Sequence, residues 1–163
     1  MPIMDAELLF GESIDAGSTS AGSSVISTNN VYIPQVTDHL GSSTNDRPNV
    51  SGGLHLNVVV EDEVVAGSGG TSAITINLAN STAAITNSNL ASADTILSTV
   101  ISADASGSNY PDGTQVMSVP LPTTILKPYF AVGFTAATKA IATGKFTAWI
   151  GGPIQQGGEH GAL

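Results

Sequence analysis

Leu54-His55-Leu56-Asn57-Val58-Val59-Val60-Glu61 is the stretch that decides the fold, because its apolar and polar residues alternate. One face carries Leu54, Leu56, Val58 and Val60, and the other carries His55, Asn57, Val59 and Glu61. Successive side chains of a strand point to opposite sides of a sheet, so this period of two predicts a β-strand with one buried face. Ser72 to Leu78 repeats the pattern, with Ile74, Ile76 and Leu78 on the apolar face.

Further short apolar segments around these two indicate an all-β protein. The strand candidates are Val25–Ile26, Val31–Ile33, Thr95–Ser102, Val116–Leu121, Tyr129–Thr135 and Lys145–Ile150. Asn109–Gly113 is a strong turn signal, because its proline presets φ and its glycine accepts a positive φ. Ala136–Ala142 is predicted as at most a helical turn, and no long amphipathic helix occurs. Strands without crossover helices predict an antiparallel β-sandwich of jelly-roll type, with residues 1–163 forming a single domain.

The alternating patterns also predict which side chains form the core of this sandwich. The members are all apolar and all lie on the inward face of a predicted strand. They are Leu56, Val58, Ile74, Ile76, Leu78, Phe130, Val132, Phe134, Phe146 and Ile150.

Several segments do not fit the strand pattern. Ser13–Ser24 is rich in Ser, Gly, Thr and Ala and is predicted as a flexible crossing. Residues 34–53 form a long polar loop, and a loop of that length in a compact domain is usually functional or ordered by a partner. Residues 151–163 are Gly- and Gln-rich and are predicted as a loose tail.

Composition excludes several classes of function. Charged residues make up 10% of the chain, against about 25% in typical soluble domains. The net charge is −9 with only four Lys and Arg residues, so no basic cluster is present that would bind nucleic acid or an anionic membrane face. The acidic N-terminus and the absence of a long apolar run predict a soluble protein that is not exported. Without cysteine, no disulfide or thiol chemistry is available.

Residues capable of catalysis or metal binding are scattered. His39, His55 and His160 are not spaced as metal ligands, and no Gly-x-Ser-x-Gly elbow occurs. We therefore expect no enzymatic activity and no cofactor. Glu61-Asp62-Glu63 is the densest acidic cluster. With Asp104 or Asp112 it offers oxygen ligands for Ca²⁺, but a solvated strand end explains it as well, and we expect no required metal.

Trp149 is predicted to face outward from the last strand, whose inward face carries Phe146, Ala148 and Ile150. An aromatic residue on a polar strand face often marks a protein interface or a platform for a sugar. The alternative is that another segment of the chain covers it.

The two ends of the chain resemble the capsid cement (stabilisation or decoration) proteins of short-tailed bacteriophages and related prophages. The resemblance rests on Met4–Phe10 at the start and on three blocks near the end, which are Val119–Pro122, Lys127–Phe134 and Thr143–Ile150. It covers roughly a third of the chain directly. The chain departs from the family pattern by the enlarged loop at 34–53 and by a tail after Gly152.

This resemblance implies a jelly-roll β-sandwich on the outer surface of an HK97-like capsid in the virion, made in the bacterial host cytoplasm. The implied partners are the major capsid protein, whose subunits the protein bridges against internal DNA pressure, and a second copy of itself in a homodimer. The segment from Pro2 to Glu12 and the 34–53 loop are predicted to supply much of the contact. The candidate interface residues are Met4, Leu8, Leu9, Phe10, Arg47 and Trp149.

Two alternatives remain open at this point. Leu8 and Phe10 would equally suit an edge strand of the same domain. A carbohydrate- or receptor-binding β-sandwich of a phage fibre or tail is the alternative function, which the low aromatic content of 5% disfavours. A third candidate, a jelly-roll hydrolase, is disfavoured because the chain lacks paired catalytic groups.

Overall fold

The protein is an antiparallel β-sandwich of nine strands in two packed sheets, over the residues that its structure describes. The structure is a computed structural model, and it describes residues 8–17, 19–33, 54–67, 70–107, 109–122 and 127–154. The strands are β1 Leu9–Asp15, β2 Ser24–Ile26, β3 Val31–Tyr32, β4 His55–Ala66, β5 Ser72–Ser81, β6 Asp94–Ala103, β7 Gln115–Pro120, β8 Tyr129–Ala136 and β9 Ile141–Gly151. The helical element that lies wholly within these ranges is a single 3-10 turn, Leu90–Ser92.

Each sheet combines strands from both halves of the chain. Sheet A has the order β1-β9-β4-β7, and sheet B has the order β2-β8-β5-β6, with β3 also paired to β8. The pairs β1–β9, β2/β3–β8, β4–β7 and β5–β6 are nested around the β5–β6 connection. The chain therefore forms one long antiparallel ribbon. The pair β4–β9 completes sheet A, and the pair β5–β8 completes sheet B.

The core lies between the two sheets and confirms the residues predicted from alternation. All ten belong to one buried cluster, and none is more than 3% exposed. Phe134 on β8 stacks against Phe146 on β9, with ring centroids 4.7 Å apart. This pair joins the two sheets directly, because β8 belongs to sheet B and β9 to sheet A.

Two local predictions were wrong. Ala136–Ala142 contains no helical turn: β8 ends at Ala136 and β9 begins at Ile141, and the bend between them crosses from sheet B to sheet A. The predicted crossing at Ser13–Ser24 begins too early, because β1 continues to Asp15 through two irregularities in its pairing with β9. Pairing with a distant strand extends β1 through Gly11 and Ser13, residues whose local preference is for turns.

The turn at Asn109–Gly113 is confirmed. Gly113 has a φ of +82°, and Thr114 donates its backbone N–H to the carbonyl of Pro111 at 3.1 Å. Residues 34–53 and 155–163, most of the predicted loop and tail, lie outside the described residues.

Candidate binding surface

The two ends of the sandwich differ. At one end, backbone hydrogen bonds join connections from both sheets: Gly22 donates to Ala136, Ala66 to Asp104 and Gly67 to Ala140, at 2.8–3.0 Å. Each of these bonds ties a loop to its neighbour and leaves fewer backbone groups for a partner. We call this the closed end.

The opposite end, which we call the loop end, contains the first residues of β4 and β8 and the last residues of β3, β7 and β9. In sheet A, His55 pairs with both Pro120 and Gly151. In sheet B, Tyr32 pairs with Tyr129. The short β7–β8 connection links the two sheets at this end, where Leu121 donates to the carbonyl of Leu54 and Ile33 to that of Pro128.

Several chain segments outside the described residues adjoin described residues at the loop end. Their described neighbours are Leu8, which precedes β1, Ile33 and Leu54, which flank 34–53, and Pro122 and Lys127, which flank 123–126. Leu8, Ile33 and Leu54 are partly buried apolar residues packed against the edge of the core. The described residues that adjoin 1–7 and 34–53 therefore lie at the same end of the sandwich.

The polar aromatic side chains at the loop end are partly exposed. Tyr32 is 56% exposed and lies 4.9 Å, centroid to centroid, from the ring of Tyr129, to which it is tilted by 50°. Asn80 holds the chain beneath this pair by donating to the carbonyls of Lys127 and Tyr129 at 2.8 and 3.0 Å. The Lys127 ammonium forms a 2.7 Å ion pair with Asp94.

Trp149 lies on the outward face of sheet A, as predicted, and is partly covered. It pairs with Leu9 on β1 and with Asn57 on β4. Gly151 approaches the indole closely, since a Cβ at this position would come within 3.1 Å of Cδ1. The segment after β9 turns back over the same face, because Asn57 donates to the Gly152 carbonyl at 3.0 Å and is fully buried. Trp149 is therefore partly covered by a later segment of the chain, as the alternative proposed, and its role in an interface stays a prediction.

The other predicted interface residues fall into three groups. Leu8 and Leu9 are partly buried at the loop end. Phe10 is fully buried in the core, so its side chain supports the alternative interpretation, an edge strand of the same domain. The sequence signal for this role was the short apolar run Leu8-Leu9-Phe10, which ends at Gly11. Met4 and Arg47 lie outside the described residues.

The acidic triplet is a hydrogen-bonded strand segment. Glu61 accepts hydrogen bonds from the hydroxyls of Ser13 at 2.6 Å and Thr147 at 2.5 Å. Burial alone would raise the pKa of Glu61, but these bonds together with Lys145 outweigh it and lower that pKa. Asp62 lies 4.0 Å from the Lys145 ammonium.

The side-chain hydrogen bonds of Asp104 are separate from those of the acidic triplet. Its carboxylate accepts from the backbone N–H and the hydroxyl of Ser106, and these bonds lower its pKa. Across the part of the chain that the structure describes, no three His, Asp or Glu residues are grouped as a metal site. In the same part, no helix is long and apolar enough to cross a membrane.

No protein-family model matches the chain, and no curated protein matches it either.

Proposed function

We propose that this protein is a capsid cement protein that binds the outer surface of an HK97-like phage shell through its loop end and bridges neighbouring major capsid subunits. The observation that carries the proposal is the set of residues that lie together at one end of the sandwich. The loop end gathers the exposed tyrosine pair together with Leu8, Ile33 and Leu54, the described residues that adjoin 1–7 and 34–53. The sequence resemblance at Met4–Phe10 and Lys127–Phe134 supports the same function.

The strand order supports the jelly-roll type. A jelly roll is a double-sheet sandwich of two Greek keys, in which an antiparallel ribbon of nested strand pairs is wound across both sheets. The nested pairs β1–β9, β2/β3–β8, β4–β7 and β5–β6 are those of such a ribbon. We therefore propose a jelly-roll fold for the chain.

The chemistry of the loop end suits a protein partner. Tyrosine and tryptophan are enriched in protein interfaces because they bury a large area at a low cost in side-chain entropy, and Lys, Glu and Asp are depleted there. Tyr32, Tyr129 and Trp149 all lie towards this end, and its one described ion pair, Lys127–Asp94, is internal to the chain. The net charge of −9 and the four cations disfavour nucleic acid as the partner.

A bridging protein does not need high affinity at each contact. Many copies on one shell act together, and a subunit or dimer that spans a seam gains from the effective concentration of its second contact. A homodimer on the shell would supply two loop ends for this purpose.

Truncation of the N-terminus tests the attachment directly. The deletion should remove only residues 1–7, because Phe10 belongs to the core and its removal would unfold the domain. We expect the truncated protein to keep its thermal transition and to lose most of its binding to particles of the phage that encodes it, measured by co-sedimentation. Full occupancy by the truncated, folded protein would rule out the attachment role of this segment.

A matched pair of point variants tests the tyrosine surface. Tyr32→Ser changes an apolar side chain that is 56% exposed at the loop end, and Val100→Ser changes one that is 62% exposed on the edge strand β6. We expect Tyr32→Ser to weaken particle binding about tenfold or more, as for an interface residue worth at least 1.4 kcal/mol, and Val100→Ser to leave it unchanged. Equal effects of both variants would contradict the assignment of the surface.

Copy number separates this function from the receptor-binding alternative. Quantitative mass spectrometry of purified virions should find the chain in hundreds of copies, in proportion to the major capsid protein. A few copies confined to the tail would overturn the proposal in favour of receptor binding.

A further inference from the structure

A cavity of about 300 Å³ lies on the outer face of sheet B, beneath the β5–β6 connection. This connection, residues 82–93, folds back over the sheet and forms a small second apolar cluster with it, in which Ile85 and Ala131 are buried and Leu90 packs alongside. Gly133 on β8 makes the approach possible, because a Cβ there would lie 2.8 Å from Leu90 Cδ2. The cavity therefore has a sheet as its floor and a chain segment as its wall.

The wall is held in place by side-chain to backbone hydrogen bonds. Asn30 bonds to both the N–H and the carbonyl of Ile85, at 2.7 and 3.0 Å. Asn87 accepts from the backbone N–H of Ile26 at 2.9 Å, and Asn89 bonds to Thr86 and Ala84 within the connection. A site that is already ordered loses less conformational entropy when a ligand binds.

The lining is polar but uncharged. Its nine residues comprise two asparagines, three hydroxyl residues, three alanines and a leucine. Asn77 accepts from the Ser98 hydroxyl at 2.7 Å, and Asn87 accepts from Ile26, so each carboxamide is oriented by its oxygen. Within the described residues neither amide nitrogen has an acceptor, so both remain available to donate to a ligand. Ser24 and Thr135 add a pair of hydroxyls 2.8 Å apart.

We propose that this cavity binds a neutral saccharide unit. Fixed amide donors and hydroxyls match the oxygens of a sugar, and the alanines and Leu90 match its C–H face. The lining offers no charge to a cation or an anion, and the net charge of −9 further disfavours anions. An extended peptide is less suitable, because the cavity lies on the face of the sheet, where the strands already pair with one another, and not at an edge that can add a strand.

The site lacks an aromatic platform, so we expect weak binding, with a Kd of about 1–10 mM for one sugar unit. The test is a titration of the ¹⁵N-labelled full chain with methyl α-D-glucopyranoside and with N-acetyl-D-glucosamine, followed by ¹H–¹⁵N correlation spectra. Glycerol is the control for a general polyol effect. The expected result is saturable shifts, for at least one sugar and not for glycerol, at amides around Ser24, Asn77, Asn87 and Thr135.

Two variants with matched controls locate the site. Thr95→Phe obstructs the cavity from an exposed position on β6, and Val100→Phe places the same side chain on the same strand outside the lining. We expect the first to abolish the saturable shifts and the second to retain them. Asn77→Ala should weaken binding about tenfold through loss of an amide donor, whereas Thr75→Ala on the same strand should not.

Three results would overturn the proposal. They are the absence of saturable shifts with both sugars, equal shifts with glycerol, and undiminished binding by folded Thr95→Phe. None of these results bears on attachment to a shell, which is measured separately with particles.

Discussion

Replacing Phe134 with alanine removes an aromatic contact that joins the two sheets. Phe134 is 1% exposed, and its ring stacks on that of Phe146, which is fully buried, at an interplanar angle of 23°. One ring comes from β8 in sheet B and the other from β9 in sheet A. The cavity left by the substitution would therefore lie between the sheets, where strands that are paired on both sides cannot move inward to fill it.

The magnitude follows from that burial. Truncation of a fully buried phenylalanine to alanine costs about 3–5 kcal/mol of unfolding free energy, which is the transfer term plus the cavity term. Loss of the aromatic pair accounts for about 0.5–1.5 kcal/mol of this. Phe134→Leu, which keeps much of the volume but loses the stacking, should cost only about 1–2 kcal/mol. Since domains of this kind are stable by about 5–15 kcal/mol, Phe134→Ala should remain folded but with a much lower midpoint.

Urea unfolding followed by intrinsic fluorescence and circular dichroism measures these differences. The control is Val100→Ala, because Val100 is 62% exposed and its substitution should change stability by less than about 0.5 kcal/mol. The reasoning would be refuted if Phe134→Ala cost less than about 1 kcal/mol with an unchanged m-value. That result would mean that the two sheets do not share the core in which this ring lies.

Two further predictions concern the outer faces of the sheets. Gly133→Ala should displace the flexible, partly exposed Leu90 side chain and lower stability by no more than about 1 kcal/mol, because the added Cβ lies 2.8 Å from Leu90 Cδ2, and the shift of the Leu90 methyl resonances reports the displacement; unchanged resonances would contradict the packing. The pKa of Glu61 is lowered in the folded state from its ordinary value of 4.5, so its contribution to stability is present above that pH and is lost as the pH falls through the lowered pKa. The urea midpoint of the wild type should therefore exceed that of Glu61→Gln at pH 7, and the difference should shrink as the pH falls below 4.5; a difference that is independent of pH would show that the carboxylate charge is not what Ser13 and Thr147 stabilise.

Alternation alone identified much of the sandwich. Each of the strands β4, β5, β8 and β9 contains a run in which every second residue is apolar, and the apolar set of each run lies in the core. A strand with one face in the core requires this pattern, so the pattern can be read without knowing the partner strand. The ten core residues were predictable for this reason, and the turn at Asn109–Gly113 was predictable from its proline and glycine.

The outer faces were not predictable in the same way. Asn57 lies on the polar face of β4 but is fully buried, because Gly152 returns over it from 95 residues away. Glu61 depends on Ser13 and Thr147, which are 48 and 86 residues distant. A local pattern carries no information about which distant segment covers a face.

What the sequence by itself determined is the class of the fold and the inward faces of β4, β5, β8 and β9. The tertiary structure decided the nesting of the ribbon, the assignment of Phe10 to the core and the gathering of Leu8, Ile33, Leu54 and Tyr129 at one end. It also decided the cavity under the β5–β6 connection, to which five chain segments contribute. The physical reason is that burial of alternate residues is a property of each strand, whereas strand order and surface sites arise only from pairing between residues far apart in the chain.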